Sequence, residues 1–299
     1  MNLIELRHKQ LLVRVSPQGA SLVDAWFDDR PVLRPYAGDV NMPFNSVDGA
    51  CFPMVPYCGR IEGNTFTIGE QRYSMLPNTD VDKHRLHGDG WLNLWSVLER
   101  QTERVRLGLT HTLDSESPYH YEAQLEISVA DEQLKMILSV VNRGKTSLPF
   151  GLGFHPYFPL TASTTLQFEA KGYRDEREDH LPAELVDIPT ELNFSHSLAV
   201  PDRFFHLGFE NWNARTLISN PELGINVTMQ ASGRFDRLQI FSPGPDASDS
   251  EGLRYVCVEP MTHTCNAHRM RGDHGLQMLE PDQSMQATLT LTPHLLVDF

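Results

Sequence analysis

Alternation of apolar and polar residues with a period of two runs through much of the chain and limits the folds open to it. From Val105 every second residue is apolar through Leu109. The same pattern recurs at Tyr121, Ala123, Leu125, Ile127 and Val129, and near the C-terminus at Ala287, Leu289 and Leu291. A strand of this kind buries one face and exposes the other, as in antiparallel sheets. No long segment has a helical period, so the sequence predicts an all-β protein.

Turn-forming residues between these patterns indicate antiparallel connections. Residues 130–133 and 142–145 each follow a strand pattern, and we interpret both as hairpin turns. Twenty prolines and twenty glycines are spread through the chain, and no change of composition marks a linker. The sequence therefore predicts one large antiparallel β-sandwich domain over residues 1–299.

Charge and hydropathy exclude several classes of partner. The formal net charge is −14 with no run of Lys or Arg, which argues against binding to nucleic acid or to an anionic membrane. The four cysteines lack CxxC spacing, as expected of reduced thiols. No apolar stretch reaches the ~20 residues of a membrane helix, and the N-terminal residues lack the pattern of a signal peptide. We therefore expect a cytoplasmic protein.

A histidine in the stretch GFHPYF is a candidate acid or base. His155 lies between the glycine-rich run that contains Gly151 and Gly153 and the rigid Pro156. An imidazole titrates near neutral pH and can therefore donate or accept a proton. The glycines are expected to let a substrate approach the backbone closely. A buried histidine bonded to a carbonyl is the alternative interpretation.

A carboxylate at the end of an apolar strand is a second candidate. Glu259 follows Tyr255-Val-Cys-Val258 and precedes Pro260. Partial desolvation there would raise its pKa and make it a stronger base than a surface carboxylate. A strand-end glutamate held in a salt bridge is the alternative.

Two further stretches carry groups that could bind a ligand. Arg60 lies in a loop shaped by prolines and glycines and offers a planar fork of donors, although a surface arginine would look the same. His84 and His87 lie in a glycine-containing stretch that ends at Trp91. They predict a crowded pocket, a structural role, or, together with His155, a metal site that lacks a clear further ligand.

Taken in order along the chain, these stretches resemble the aldose 1-epimerase family, the galactose-mutarotase-like sugar mutarotases. The matching segments are 56–66 (PYCGRIEGNTF), 86–88 with Trp95 after it, 155–158 (HPYF), and 258–262 (VEPMT) with Asn266 and Ala267. The resemblance implies the galactose-mutarotase-like supersandwich with its site on a concave face. It also implies an isomerase that needs no cofactor and no metal and interconverts the α and β anomers of a free aldose.

The resemblance also implies a role for individual residues. Glu259 corresponds to the catalytic base and His155 to the catalytic acid, and we expect the two to face each other across a gap about one sugar ring wide. His87 corresponds to the histidine that orients the substrate, and Arg60 to the arginine that binds it. Candidates for apolar contact with the sugar are Trp91, Phe154 and Trp212.

Two departures from the family pattern concern sugar recognition. Gly59 stands where family members usually have asparagine, so a side-chain amide is missing. His206 stands where the family often has a substrate-binding aspartate, and Glu210 or Asp202 could substitute for it. A hexose-6-phosphate 1-epimerase and a non-catalytic carbohydrate-binding member therefore stay open as alternatives. A small-molecule aldose is the expected partner of a monomer or homodimer.

Overall fold

A computed structural model describes residues 3–39, 41–80, 82–113, 116–245 and 254–296. Strands β1 to β12 are Ile4–His8, Leu11–Ser16, Ser21–Phe27, Arg30–Pro31, Cys51–Met54, Thr65–Ile68, Gln71–Ser74, Ser96–Arg100, Arg104–His111, Tyr121–Ala130, Gln133–Asn142 and Leu148–Phe150. Strands β13 to β23 are Gly153–Pro159, Thr165–Phe168, Gly172–Arg174, Leu198–Ala199, Phe204–Glu210, Arg215–Asn220, Ile225–Ser232, Arg237–Pro243, Tyr255–Met261, Gln277–Leu279 and Ser284–Leu295.

Helical structure within the described ranges is confined to single 3₁₀ turns. They are Ser46–Asp48, Glu62–Asn64, Gly90–Leu92, Thr190–Leu192, Pro221–Leu223 and Ala267–Arg269. No helix in the described part of the chain has the length and apolar character that crossing a membrane requires.

Most strands belong to two large antiparallel sheets. The first has the order β1-β2-β3-β5-β13-β21-β20-β17-β15, with β4 paired to β3. The second has the order β16-β14-β18-β19-β23-β11-β10-β9-β8. Two short pairs, β12–β22 and β6–β7, complete the described strands. The predicted all-β, antiparallel fold is confirmed, and β13 and β21 lie side by side near the middle of the first sheet.

The core forms as the period-2 pattern predicts. In β10 every apolar residue of the pattern is buried, whereas the residues between them are partly or fully exposed. Strands of the first sheet contribute the opposite layer, so one large apolar cluster contains side chains from both sheets. Burial of each large aliphatic side chain contributes about 1.5–3 kcal/mol to this packing.

The two predicted hairpins have different outcomes. Ala130 pairs with Gln133, and the two residues between them have positive φ values, as a tight turn between twisted strands requires. The prediction for residues 142–145 is wrong. The side-chain amide of Asn142 donates to the carbonyls of Thr146 and Leu279 at 2.9 and 2.7 Å. These bonds turn the chain towards β12, which pairs with β22 and not with β11.

Candidate active site

Strand register brings a row of side chains together on one face of the first sheet. His155 on β13 lies opposite Phe52 on β5. Farther along the row, Glu259 on β21 lies opposite Gln239 on β20, and Gln239 lies opposite Gly208 on β17. Residues opposite each other in neighbouring strands point to the same face. This face is turned away from the main core, because its apolar members form a separate cluster around Phe52.

The predicted acid and base are in direct contact. Nε2 of His155 lies 3.3 Å from Oε1 of Glu259, and both side chains are buried. The imidazole stacks between the rings of Phe52 and Tyr157, with centroid distances of 4.6 and 4.7 Å. The expectation of a gap one sugar ring wide is therefore wrong. Adjacent antiparallel strands bring opposite residues too close to leave such a gap.

Burial sets the charge state of this pair. It lowers the pKa of His155 to about 3 and raises the pKa of Glu259 to about 8, the latter against the opposing effect of the Arg60 charge. At neutral pH the pair therefore holds one proton, which resides on Glu259, and Nε2 of His155 keeps its lone pair. Nδ1 of His155 is buried without a hydrogen-bond partner.

His87 presents a hydrogen-bond donor beside this pair. Its ring lies perpendicular to that of His155, with 5.3 Å between centroids. The backbone amide of Gly59 donates to Nδ1 of His87 at 3.0 Å, and the backbone amide of His87 donates to the Gly59 carbonyl at 2.8 Å. Burial lowers the pKa of His87 well below its ordinary value. The neutral ring accepts at Nδ1, so its proton is on Nε2.

The space expected for an asparagine side chain at position 59 is occupied. Gly59 has φ +66°, and a Cβ atom there would collide with Sγ of Cys265. Gly151 and Gly153 were expected to admit substrate, and this is wrong. Side chains of the protein fill the space beside them: the ring of His263 at Gly151, and Cys58 with Met54 at Gly153.

Arg60 lies at the edge of the site and is paired. Its Nε donates to Oδ2 of Asp82 at 2.7 Å, and the arginine side chain is 16% exposed. Its charge also lowers the pKa of His87, after the larger effect of burial. The carbonyl of Arg60 accepts from the amide of Asn266 at 3.0 Å. This bond ties the Arg60 loop to the segment that follows Glu259.

The three aromatic residues proposed for sugar contact are all buried, and two of them lie elsewhere. Phe154 is fully buried in the main core and packs 6.2 Å from Phe235. It neighbours His155 in a strand and therefore points to the opposite face. Trp212 also lies in the main core, where its Nε1 donates to the carbonyl of Arg215 at 3.1 Å. Trp91 does lie beside the site, stacked 5.3 Å from Phe52.

His206 reaches the same face from β17, whereas the two carboxylates suggested in its place are held by other residues. Nδ1 of His206 bonds to Oε1 of Glu176 at 2.7 Å. Glu210 is committed to other partners, because it accepts from Thr264, Arg174 and Arg237. Asp202 is mostly exposed and pairs with Arg254.

Sequence reasoning missed three residues of this face. Tyr157 lies two residues after His155 and therefore shares its face, so the strand period alone could have identified it. Gln239 is a lone amide within the apolar stretch Leu238-Gln-Ile-Phe241, which is a usable signal. Glu176 lies in an irregular segment, where spacing carries no information about direction.

The chemistry of these side chains disfavours a metal site. One ring nitrogen of His87, one of His155 and a carboxylate oxygen of Glu259 lie within 4.8 Å of one another, close enough for a shared ion. A neutral imidazole has one nitrogen lone pair, and the Gly59 amide occupies that of His87. Its other nitrogen carries a proton and cannot bind a metal in that state. His84 is held elsewhere, where its Nδ1 accepts from Gly63 at 3.3 Å.

The fold is that of the galactose-mutarotase-like proteins. A solved galactose mutarotase-like protein from Clostridium acetobutylicum has a TM-score of 0.84 to this chain at 18% identity, with 98% of this chain and 95% of that chain covered. The chain belongs to the aldose 1-epimerase family, whose model matches residues 2–292.

Similarity in sequence and in structure extends to Escherichia coli K12. The uncharacterized protein YphB is 33% identical over 292 residues, which are 97% of this chain and 98% of YphB. A crystal structure from the same organism, described as that of a candidate aldose 1-epimerase, is also 33% identical. Its TM-score is 0.91, with 99% of each chain covered.

Proposed function

We propose that the protein is a cofactor-independent aldose 1-epimerase that interconverts the anomers of a free aldose. The observation that carries the proposal is the buried His155–Glu259 pair, which holds a single proton at neutral pH with 3.3 Å between Nε2 and Oε1. Opening a pyranose needs a base at the C1 hydroxyl and an acid at the ring oxygen. Both oxygens are bonded to C1, so a touching acid–base pair suits the reaction better than a separated one.

The protons balance over the reaction. In the assigned roles, Glu259 takes the proton of the C1 hydroxyl while His155 protonates the ring oxygen, and the C1–ring oxygen bond breaks. Rotation about C1–C2 then presents the other face of the carbonyl. During closure His155 takes back the ring-oxygen proton and Glu259 returns its proton to the C1 oxygen.

In the resting pair the proton is on Glu259, which is the protonation state that ring closure requires. Ring opening in the assigned roles therefore begins with transfer of that proton to His155. The contact between Oε1 and Nε2 provides the route. A bound sugar would favour this transfer, because its hydroxyl groups replace part of the solvation that burial removed.

The surrounding groups fit substrate binding. The proton on Nε2 of His87 can be donated to a sugar oxygen, and Arg60 supplies positive charge at the edge of the site. Trp91, stacked on Phe52, contributes to the apolar wall. His206 replaces the aspartate of other family members with a nitrogen.

A panel of free aldoses tests the proposed reaction. The purified protein is expected to accelerate the approach of α-D-galactose, α-D-glucose or another freshly dissolved aldose to anomeric equilibrium, measured by polarimetry or by anomer-resolved NMR. Rates equal to those in buffer for every sugar would contradict the proposal.

The charges near the site favour a free sugar over a sugar phosphate. Arg60 is paired with Asp82, and both Arg174 and Arg237 are paired with Glu210. A phosphate group would need cations that are free to bind it. Weak or absent competition by hexose 6-phosphates in the same assay is therefore expected.

Chelation provides a separate prediction. Because the lone pair of His87 is occupied, treatment with EDTA followed by desalting is expected to leave the rate of anomer exchange unchanged. Metal content and activity would be measured on the same sample. A loss of activity that Zn²⁺ restores would show that these side chains hold a catalytic metal.

A further inference from the structure

A small recess continues the catalytic row beyond Glu259. It lies over Gly208, which faces Gln239 in the neighbouring strand. The absence of a side chain at Gly208 leaves this space, since a Cβ atom there would lie 3.2 Å from Oε1 of Gln239. The recess has a volume of about 10 Å³, which is room for about one oxygen-sized group such as a hydroxyl.

Two polar groups at this recess lack partners within the described part of the chain. The amide of Gln239 makes no hydrogen bond there although its side chain is buried, and Nε2 of His206 is likewise unbonded. Both groups open onto the recess, so they can hydrogen-bond to water or to a polar group of a ligand that lies there.

Glu176 fixes which nitrogen of His206 is available. Burial alone would raise the pKa of Glu176, but hydrogen bonds from His206 and His180 outweigh this and lower it, so the carboxylate is ionised. Burial lowers the pKa of His206, so its ring is neutral. An ionised carboxylate can only accept, so the His206 proton lies on Nδ1 and the lone pair on Nε2.

The direction of the row identifies the part of the sugar that reaches this recess. With C1 placed over Glu259, a pyranose extends across β20 towards β17, and two strand spacings separate Glu259 from Gly208. The ring carbon opposite C1 is C4. Its hydroxyl could donate to Nε2 of His206 and accept from the amide of Gln239.

We propose that the recess over Gly208 selects the substrate at C4, with His206 as hydrogen-bond acceptor and Glu176 as the residue that positions it. This inference rests on the proposed function. It makes the configuration at C4 the feature of the aldose that the protein distinguishes.

Gly208→Ala tests this directly, because a methyl group fills the recess while the contact with Gln239 stays tolerable. D-Glucose and D-galactose differ only at C4 and share one 4-deoxy analogue. The wild type is expected to prefer one of the two by about tenfold or more in kcat/KM and to process the 4-deoxy sugar more slowly. Gly208→Ala and His206→Ala are each expected to lower kcat/KM for the preferred sugar about tenfold. The kcat/KM values of the three sugars should then be close to one another.

Glu176→Gln and Glu178→Gln separate positioning from stability. Glu176→Gln keeps an oxygen for Nδ1 of His206 but removes the charge, and is expected to reduce the C4 preference severalfold. Glu178→Gln makes the same change at an exposed carboxylate two residues along the chain, and is expected to leave the preference unchanged. A purely structural role of Glu176 would instead lower kcat/KM for all three sugars equally.

The outcomes separate the two proposals. If the wild type exchanges anomers but shows no C4 preference, or if Gly208→Ala and His206→Ala leave that preference intact, the recess has no role in selection and the reaction assignment still stands. If the wild type accelerates none of the aldoses in the wider panel, both proposals fall.

Discussion

Glu259→Gln is expected to lower kcat/KM for anomer exchange by about 10²–10⁴-fold. Glutamine has nearly the shape of glutamate and can donate its amide proton to Nε2 of His155, so the packing of the row survives. It cannot accept and return a proton, and the reaction requires both. Rates would be measured by anomer-resolved NMR at pH 7 on the best sugar of the panel.

The same substitution is expected to stabilise the fold, which separates lost chemistry from lost structure. The pKa of Glu259 rises from 4.5 to about 8 on folding because the charged form is desolvated. Stability associated with the protonated form is present below pH 4.5 and is lost as the pH rises towards 8, at up to about 1.4 kcal/mol per pKa unit. Glu259→Gln removes this loss, so Tm should exceed that of the wild type by more at pH 8 than at pH 5.

Glu70→Gln is the matched control, because Glu70 is an exposed carboxylate far from the catalytic row in sequence. It changes the net charge equally and should alter neither rate nor Tm appreciably. Near-normal activity of Glu259→Gln would exclude Glu259 from the proton exchange. A large fall in Tm would mean that Glu259 supports the fold.

The sheets could be predicted from the sequence because their signal is local. A buried face imposes period-2 alternation, as at Leu125 and Ile127, whatever the rest of the chain does. The turn at 130–133 is also local. The connection at 142–145 is not, because Leu279, far along the chain, supplies the carbonyl that Asn142 binds.

The motifs identified which residues belong to the site better than they predicted how those residues are arranged. His155 and Glu259 meet because β13 and β21 are neighbours, and strand order is not written in either motif. For Phe154 the motif was misleading and the strand period was informative. Its place in the motif suggested a role in the site, yet the strand period puts its side chain in the core.

Recognition residues were the hardest to predict. Glu176 belongs to an irregular segment whose path depends on distant contacts, such as that between Nη2 of Arg177 and Oε1 of Glu62 at 3.2 Å. No spacing rule relates such a residue to His206. The space over Gly208 is equally invisible in the sequence, since an empty recess is defined by the residues around it.

The pH dependence of catalysis is expected to differ from that of ordinary histidine and glutamate side chains. Catalysis needs the pair with one proton, whichever partner holds it. As the pH rises, this proton is lost around pH 8, and kcat/KM falls. As the pH falls, a second proton binds His155 only around pH 3, so no loss occurs near pH 6.5.

The most direct test of the account is therefore the profile of kcat/KM for anomer exchange from pH 5 to pH 9.5. Rates are corrected for the buffer reaction, and circular dichroism confirms folding at each pH. The account predicts a constant value from pH 5 to about 7 and an alkaline fall with an apparent pKa near 8. An acid limb near pH 6.5, or activity that persists unchanged above pH 9, would contradict a buried one-proton pair of His155 and Glu259.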